Sequence, residues 1–137
     1  MIIVSACLAG IKCRYDGNDN SNEKVIEMIK QRIAIPVCPE QLGGLPTPRV
    51  PVEILDSCVC SKEGMDVTKQ FTKGAEETLK IAKMLQCKKA ILKQRSPSCG
   101  FGLIYDGSHT GRVIEGNGVT AELLFKNGIK ILTEEEL

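Results

Sequence analysis

The stretch AILKQRSPSCGFG, residues 90–102, joins a short apolar run to a bare loop that carries a cysteine. The run AIL is typical of a buried strand, and the turn formers Ser96 and Pro97 follow it before Cys99. Ligands of open α/β sheets gather beyond the carboxyl ends of the strands. A thiol in this place is therefore either a small buried apolar residue or part of a site, and the other cysteines decide between the two.

Three further apolar runs predict strands: IIVSA at 2–6, IAIPVC at 33–38 and IKIL at 129–132. Helical stripes lie between them, the clearest being Phe71, Ala75, Leu79, Ala82 and Leu85, for which Thr68 is a plausible N-cap. We therefore predict an α/β fold in one domain of residues 1–137, with three layers and a mainly parallel sheet. Residues 52–67, with the turn signal KEGM, predict a small β-hairpin insertion, and the proline-rich residues 39–51 predict an ordered loop.

Composition excludes several classes of protein. The chain has 137 residues, a net charge of +1 and 4% aromatic residues, so no strong field or stacking surface indicates nucleic acid or membrane binding. MIIVSACLAGIKC has no basic stretch before its apolar residues, and no run approaches the ~18 apolar residues of a membrane span. We expect a soluble cytoplasmic protein.

Seven cysteines in such a chain require an explanation. An odd number fits a fully paired disulfide framework poorly. In a reducing compartment, cysteines act as metal ligands, as catalytic thiols or as small buried apolar residues.

Three cysteines lie at or just beyond the carboxyl ends of predicted strands, namely Cys7, Cys38 and Cys99. Because neighbouring strands lie about 4.8 Å apart, their thiols can converge on one small group. Soft sulfur ligands suit zinc, copper(I) or iron–sulfur clusters, but structural zinc prefers paired CxxC ligands, and the chain has no CxxC and a single histidine. The pattern therefore favours a [4Fe–4S] cluster with one open iron, which can act as a Lewis acid.

The remaining cysteines have less specific interpretations. Cys13 is a fourth ligand, a nearby reactive thiol or a packing residue, and the sequence leaves all three open. Cys58 and Cys60 fit the hairpin, and Cys87 ends the long helix as a structural residue.

Two polar residues stand next to the proposed ligands. Glu40, two residues after Cys38, is either a general base for water or a solvated carboxylate. Ser96 can donate or accept a hydrogen bond at the site, although a serine before proline more often forms a turn. Tyr15, Asp16 and Arg49 can line a pocket and orient a polar ligand, whereas His109 is expected to be exposed.

The same residues carry a family resemblance. The chain resembles the thiouracil desulfidase (TudS) family in VSACLAGIKCRYDG (4–17), CPEQLGGLPTPRVPVEI (38–54), DVTKQFTKGAEETL (66–79), LKQRSPSCGFGLIYDG (92–107) and GNGVTAELLFKNGIKILTEEEL (116–137). These blocks follow one another in order over most of the chain, and the combination of CPE with SPSCG is specific.

This resemblance implies a desulfidase whose [4Fe–4S] cluster is held by three of Cys7, Cys13, Cys38 and Cys99, with Glu40 and Ser96 at the catalytic positions. The strand-end argument favours Cys7, Cys38 and Cys99 as ligands. The implied reaction is non-redox: an open iron takes the sulfur of a thiolated pyrimidine, and water activated by Glu40 replaces it, giving hydrogen sulfide. The expected substrate is a small thiolated base or nucleoside rather than tRNA. The alternative is an iron–sulfur or sulfide carrier without turnover.

Overall fold

The computed structural model describes every residue from 1 to 137. Its strands are β1 (Ile2–Ser5), β2 (Ala34–Val37), β3 (Val52–Leu55), β4 (Cys58–Ser61), β5 (Lys89–Leu92), β6 (Phe101–Tyr105), β7 (Val113–Asn117) and β8 (Lys130–Thr133). Its α-helices are α1 (Glu23–Lys30), α2 (Pro39–Leu42), α3 (Thr68–Met84) and α4 (Val119–Lys126). Short 3-10 helices follow β1 and β8, at Ala6–Ala9 and Glu134–Glu136.

The four strands predicted from apolar runs form one parallel sheet in the order β2-β1-β5-β8. β2 is an edge strand, so Pro36 has a partner on one side only, Val4 of β1. Proline has no N–H to donate, and edge strands are where a sheet tolerates it. After β1 the chain adds β2 on one side of it, and it later adds β5 and β8 on the other side. The direction of winding therefore reverses between β1 and β5. Such a reversal opens a crevice at the carboxyl ends of the two strands.

Helices cover both faces of this sheet, as the three-layer prediction requires. One core packs α1 against the sheet and contains Val4, Leu8, Val25, Ala34 and Ile91. The other core packs α3 and α4 against the opposite face and includes Ile3, Ala82, Ala90, Leu92, Leu124 and Ile131. Consecutive residues of β1 and β5 point to opposite cores, which explains why both runs are continuously apolar rather than alternating.

The two hairpins differ in detail from the sequence prediction. β3 and β4 pair antiparallel, but they turn at Asp56 and Ser57, both with positive φ, and not at KEGM, which forms a second turn after β4. Two adjacent residues with positive φ form the tight turn that matches the twist of a hairpin. β6 and β7 form a second antiparallel hairpin, within residues 101–117.

Residues 39–51 also correct a prediction, because the segment begins with the single helical turn α2 instead of an irregular loop. Pro39 is acceptable there, since the first helical position needs no N–H donor. A Cβ on Gly43 would lie 2.0 Å from the Gln70 carbonyl oxygen, and one on Gly74 would lie 1.9 Å from that of Pro39. Only glycines at both positions allow α2 to pack directly on α3.

The N-terminus of α3 is capped differently from the prediction. Thr68 is the first helical residue and not the N-cap; the carboxylate of Asp66 accepts the N–H of Thr68 at 2.8 Å. The Thr68 hydroxyl instead accepts the N–H of Val59 at 2.8 Å, which ties the helix to β4. No helix of this protein combines the length and the apolar character needed to cross a lipid bilayer.

Candidate functional site

A cavity of about 550 Å³ opens at the carboxyl ends of β1, β2 and β5, where the winding of the sheet reverses. All five residues selected as site candidates line it, namely Cys7, Cys38, Cys99, Glu40 and Ser96. Cys13, Tyr15 and Arg49 line the same cavity. The fold therefore brings the three strand-end cysteines to one cavity, and their role as ligands stays a prediction.

Three of the thiols interact directly. Cys13 is buried beside Cys7 and Cys38, and the Cys38 thiol donates to the Cys13 carbonyl oxygen at 3.9 Å. The contacts with these two thiols raise the pKa of Cys13 well above that of a free thiol. Contact with the Cys13 side chain is the main influence that lowers the pKa of Cys7, and it also lowers the pKa of Cys38 to about 7. Thiolate is the form of cysteine that binds metals, so Cys7 and Cys38 are prepared for that role.

Cys99 reaches the cavity on a loop that is docked against the N-terminus of α4. The carbonyl oxygens of Pro97, Ser98 and Gly100 accept N–H groups from residues 118–121 at 2.7–3.1 Å. These are the donors that the first turn of a helix leaves without partners. Burial raises the pKa of Cys99 to about 12. The backbone carbonyls of the SPSCG loop thus cap the N-terminus of α4, and this docking fixes the position of the Cys99 thiol.

Two side chains brace the loop from inside. The Ser96 hydroxyl oxygen accepts the N–H groups of Ser98 at 3.1 Å and Cys99 at 3.0 Å, so its remaining capacity is its single proton. Gln94 spans the two ends of the loop, since its amide accepts the Phe101 N–H at 2.9 Å and donates to the Phe101 carbonyl at 2.8 Å. Ser96 therefore forms the turn that its sequence indicates and can act in the cavity only as a donor.

Gly118 makes the docking of this loop possible, and its replacement by alanine should disrupt it. The added Cβ would lie 2.5 Å from the carbonyl group of Ser98 and 2.8 Å from the nitrogen of Cys99. Because these are backbone atoms, no rotamer change relieves the overlap, and we expect a loss of about 1–3 kcal/mol in unfolding free energy. Thermal or urea denaturation measures this loss. Gly116→Ala is the matched control, because its Cβ meets only the movable side chain of Ile104; equal stability of the two variants would contradict the prediction.

Glu40 lies at the cavity in an ion pair with Arg49. The Arg49 Nε donates to Oε1 of Glu40 at 2.9 Å, and both side chains are largely buried. The second carboxylate oxygen, Oε2, has no protein hydrogen bond, and no buried side-chain oxygen lacks a partner, so Oε2 is accessible to solvent. Glu40 itself lines the cavity. Glu40 is thus a partly shielded carboxylate with one oxygen held and one oxygen free.

The β3–β4 and β6–β7 hairpins contribute a wall of the cavity that the sequence did not predict. Oε1 of Glu53 accepts the N–H groups of Gly107 at 3.0 Å and His109 at 3.1 Å, and Oε2 lies 3.7 Å from Nδ1 of His109. The His109 side chain is only 16% exposed and lines the cavity with Glu53 and Tyr105, which corrects the expectation of an exposed histidine. The partners are more than 50 residues apart, so no local spacing could reveal them.

Several other candidates lie outside the cavity. Asp16 does not line it and instead pairs with Arg14 at 3.2 Å. Cys58 is exposed and Cys60 is half-buried in the β3–β4 hairpin, while Cys87 belongs to the core beside α3 and α4. Their structural interpretations agree with these positions.

The donor set fits a polynuclear iron–sulfur group better than a single metal ion. Four free thiols line one cavity, and soft sulfur donors are those that iron–sulfur clusters use. No three His, Cys, Asp or Glu side chains are arranged to share one ion. In a cluster each cysteine binds its own iron, so its ligands are spread over a larger object.

Comparisons with known proteins agree with this chemistry. The family model described as 2-thiouracil desulfurase matches residues 2–136. The uncharacterized protein YbbK of Bacillus subtilis (strain 168) is 42% identical over 147 residues, covering 100% of this chain and 97% of YbbK. The solved structure of the [4Fe–4S]-dependent thiouracil desulfidase TudS superposes with a TM-score of 0.95 at 41% identity, covering 99% of this chain and 91% of that one. The predicted α/β fold is confirmed, and the chain belongs to the 2-thiouracil desulfurase family.

Proposed function

We propose that this protein is a [4Fe–4S]-dependent desulfidase, acting through one domain of residues 1–137, that converts a thiolated pyrimidine to its oxo form. The observation that carries the proposal is the joint presence of Cys7, Cys38, Cys99 and Glu40 on one cavity, where the sheet reverses its winding. Family membership and the similarity to TudS support the same reaction.

The cofactor would be held by Cys7, Cys38 and Cys99, one thiolate from the carboxyl end of each of three adjacent strands. When bound, a cluster with three cysteine ligands supplies an open iron, a Lewis acid that prefers sulfur to oxygen and polarises a thiocarbonyl bond. Cys13 lies against Cys7 and Cys38 and would be a neighbour of the cofactor rather than a ligand.

The protein's own residues supply water activation and proton transfer. The free Oε2 of Glu40 accepts a proton from water, and the resulting hydroxide attacks the ring carbon that carries sulfur. Ser96, with both lone pairs occupied by backbone N–H groups, donates its proton toward the cavity. The sum of the reaction is thiocarbonyl plus water giving carbonyl plus hydrogen sulfide, so no electron donor or acceptor takes part.

The proposed substrate is a small thiolated base or nucleoside in the cytoplasm, with tRNA less favoured. A cavity of about 550 Å³ lies within the range of small-molecule sites. The net charge of +1 supplies no broad basic surface for an RNA backbone.

Anaerobic reconstitution followed by a substrate assay tests this function. We expect roughly four iron and four sulfide per chain, loss of thiouracil absorbance over many turnovers, and an equal amount of hydrogen sulfide. Boiled protein and the metal-free protein are the controls. Release of at most one sulfide per chain, without further turnover, would reject the enzyme and leave the sulfur carrier.

A further inference from the structure

Arg49 is almost entirely committed to protein partners. Its side chain is 7% exposed, and besides Glu40 it donates to the carbonyl oxygens of Cys13 at 2.8 Å and Pro46 at 3.1 Å, and to the hydroxyl of Thr47 at 2.9 Å. Four of the five guanidinium N–H donors are thereby used. The expectation that Arg49 orients a ligand is not what this geometry favours.

These contacts join two separate cavity walls. The Cys13 carbonyl belongs to the loop after β1, while Glu40 and Thr47 belong to the segment after β2. The backbone N–H of Arg49 also donates to the carbonyl of Tyr15 at 2.8 Å, which adds a second link to the first loop. The guanidinium therefore contacts both loops, and the backbone bond to Tyr15 keeps the loops joined when the Arg49 side chain is replaced.

The Arg49 guanidinium also determines which oxygen of Glu40 is available to water. Arg49 holds Oε1 and leaves Oε2 without a protein partner, and a second bond from the guanidinium to Oε2 is absent. A one-point ion pair therefore fixes the rotation of the carboxylate while one oxygen remains available to water. A bidentate pair, the usual arrangement of Arg with a carboxylate, would occupy both oxygens.

We propose that Arg49 is a positioning residue for the reaction, acting through Glu40 by holding Oε1 so that Oε2 faces the reacting water. This inference rests on the proposed function. It assigns to Arg49 no contact with substrate. Its loss is expected to lower kcat and to leave KM nearly unchanged, because a displaced base affects the chemical step rather than binding. Misplacement on the ångström scale justifies an expected loss of about 10²-fold.

A double-mutant cycle tests the proposal. The variants are Arg49→Met, Glu40→Gln and the pair, each measured for kcat, KM, iron per chain and thermal midpoint. We expect Arg49→Met to lose about 10²-fold in kcat in the native background and almost nothing in the Glu40→Gln background, since the group it positions is already disabled. Arg112→Met, at a site 77% exposed and outside the cavity, is the control expected to match the native protein.

The outcomes separate the two proposals. No turnover by the native protein rejects the desulfidase function itself. With native turnover intact, an equal loss from Arg49→Met in both backgrounds, or no loss, overturns the positioning role. Arg49→Lys keeps the charge and should recover part of kcat with full iron content. Loss of iron in both Arg49→Met and Arg49→Lys would show a purely structural residue and would equally overturn the role.

Discussion

Cys99→Ala is expected to abolish cluster binding while leaving the protein folded. Iron per chain should fall from about four to near zero after anaerobic reconstitution, and the charge-transfer absorbance of the cluster should disappear with it. The fold should survive because the Cys99 loop is held by backbone hydrogen bonds to α4 and by Gln94, none of which needs the thiol. Iron analysis and circular dichroism measure the two effects.

The other cysteines provide matched comparisons. Cys7→Ala and Cys38→Ala should lose iron as Cys99→Ala does, since all three are proposed ligands. Cys87→Ala is the control for removing a buried thiol, because Cys87 lies in the core and outside the cavity. It should retain full iron content.

Cys13→Ala decides the question that the sequence left open. Cys13 contacts Cys7 and Cys38 but is not among the proposed ligands, so we expect its loss to leave about four iron per chain. If Cys13→Ala lost its iron and Cys99→Ala kept it, the third ligand would be Cys13 and not Cys99. The two thiols are thus separated by one measurement on two proteins.

Local sequence carries much of this fold because the parallel sheet is buried on both faces. Apolar runs such as 2–6 and 90–92 have no amphipathic alternation to obscure them, and helical stripes stand between them. The order of elements then places Cys7 and Cys99 beyond the carboxyl ends of the neighbouring strands β1 and β5. Chain order and strand polarity together therefore predict the location of the site.

What sequence could not supply are contacts set by packing between distant segments. Nothing near Gly43 indicates that it lies against Gly74, although that contact seats α2 and with it Glu40. The Glu53–His109 wall requires two hairpins to meet. A histidine between turn residues has the local pattern of an exposed loop, and only the carboxylate from β3 explains its burial.

Glu40→Gln is expected to lower kcat by about 10²–10⁴-fold, the usual contribution of a general base. Glutamine is nearly isosteric, and its amide oxygen can still accept the hydrogen bond from Arg49 that Glu40 accepts at 2.9 Å. The shape of the cavity should therefore be unchanged, while the group at the position of Oε2 can no longer take a proton from water. Steady-state assays by loss of thiouracil absorbance measure the effect.

Iron content distinguishes loss of the base from loss of the cofactor. Glu40 is not among the proposed ligands, so Glu40→Gln should load as much iron as the native protein. Glu63→Gln, an exposed position in the turn after β4, controls for removal of one negative charge and should show native turnover. Turnover near the native rate in Glu40→Gln would remove Glu40 from water activation. Loss of iron together with turnover would instead make Glu40 part of the cluster's binding site, and a different group would then have to activate water.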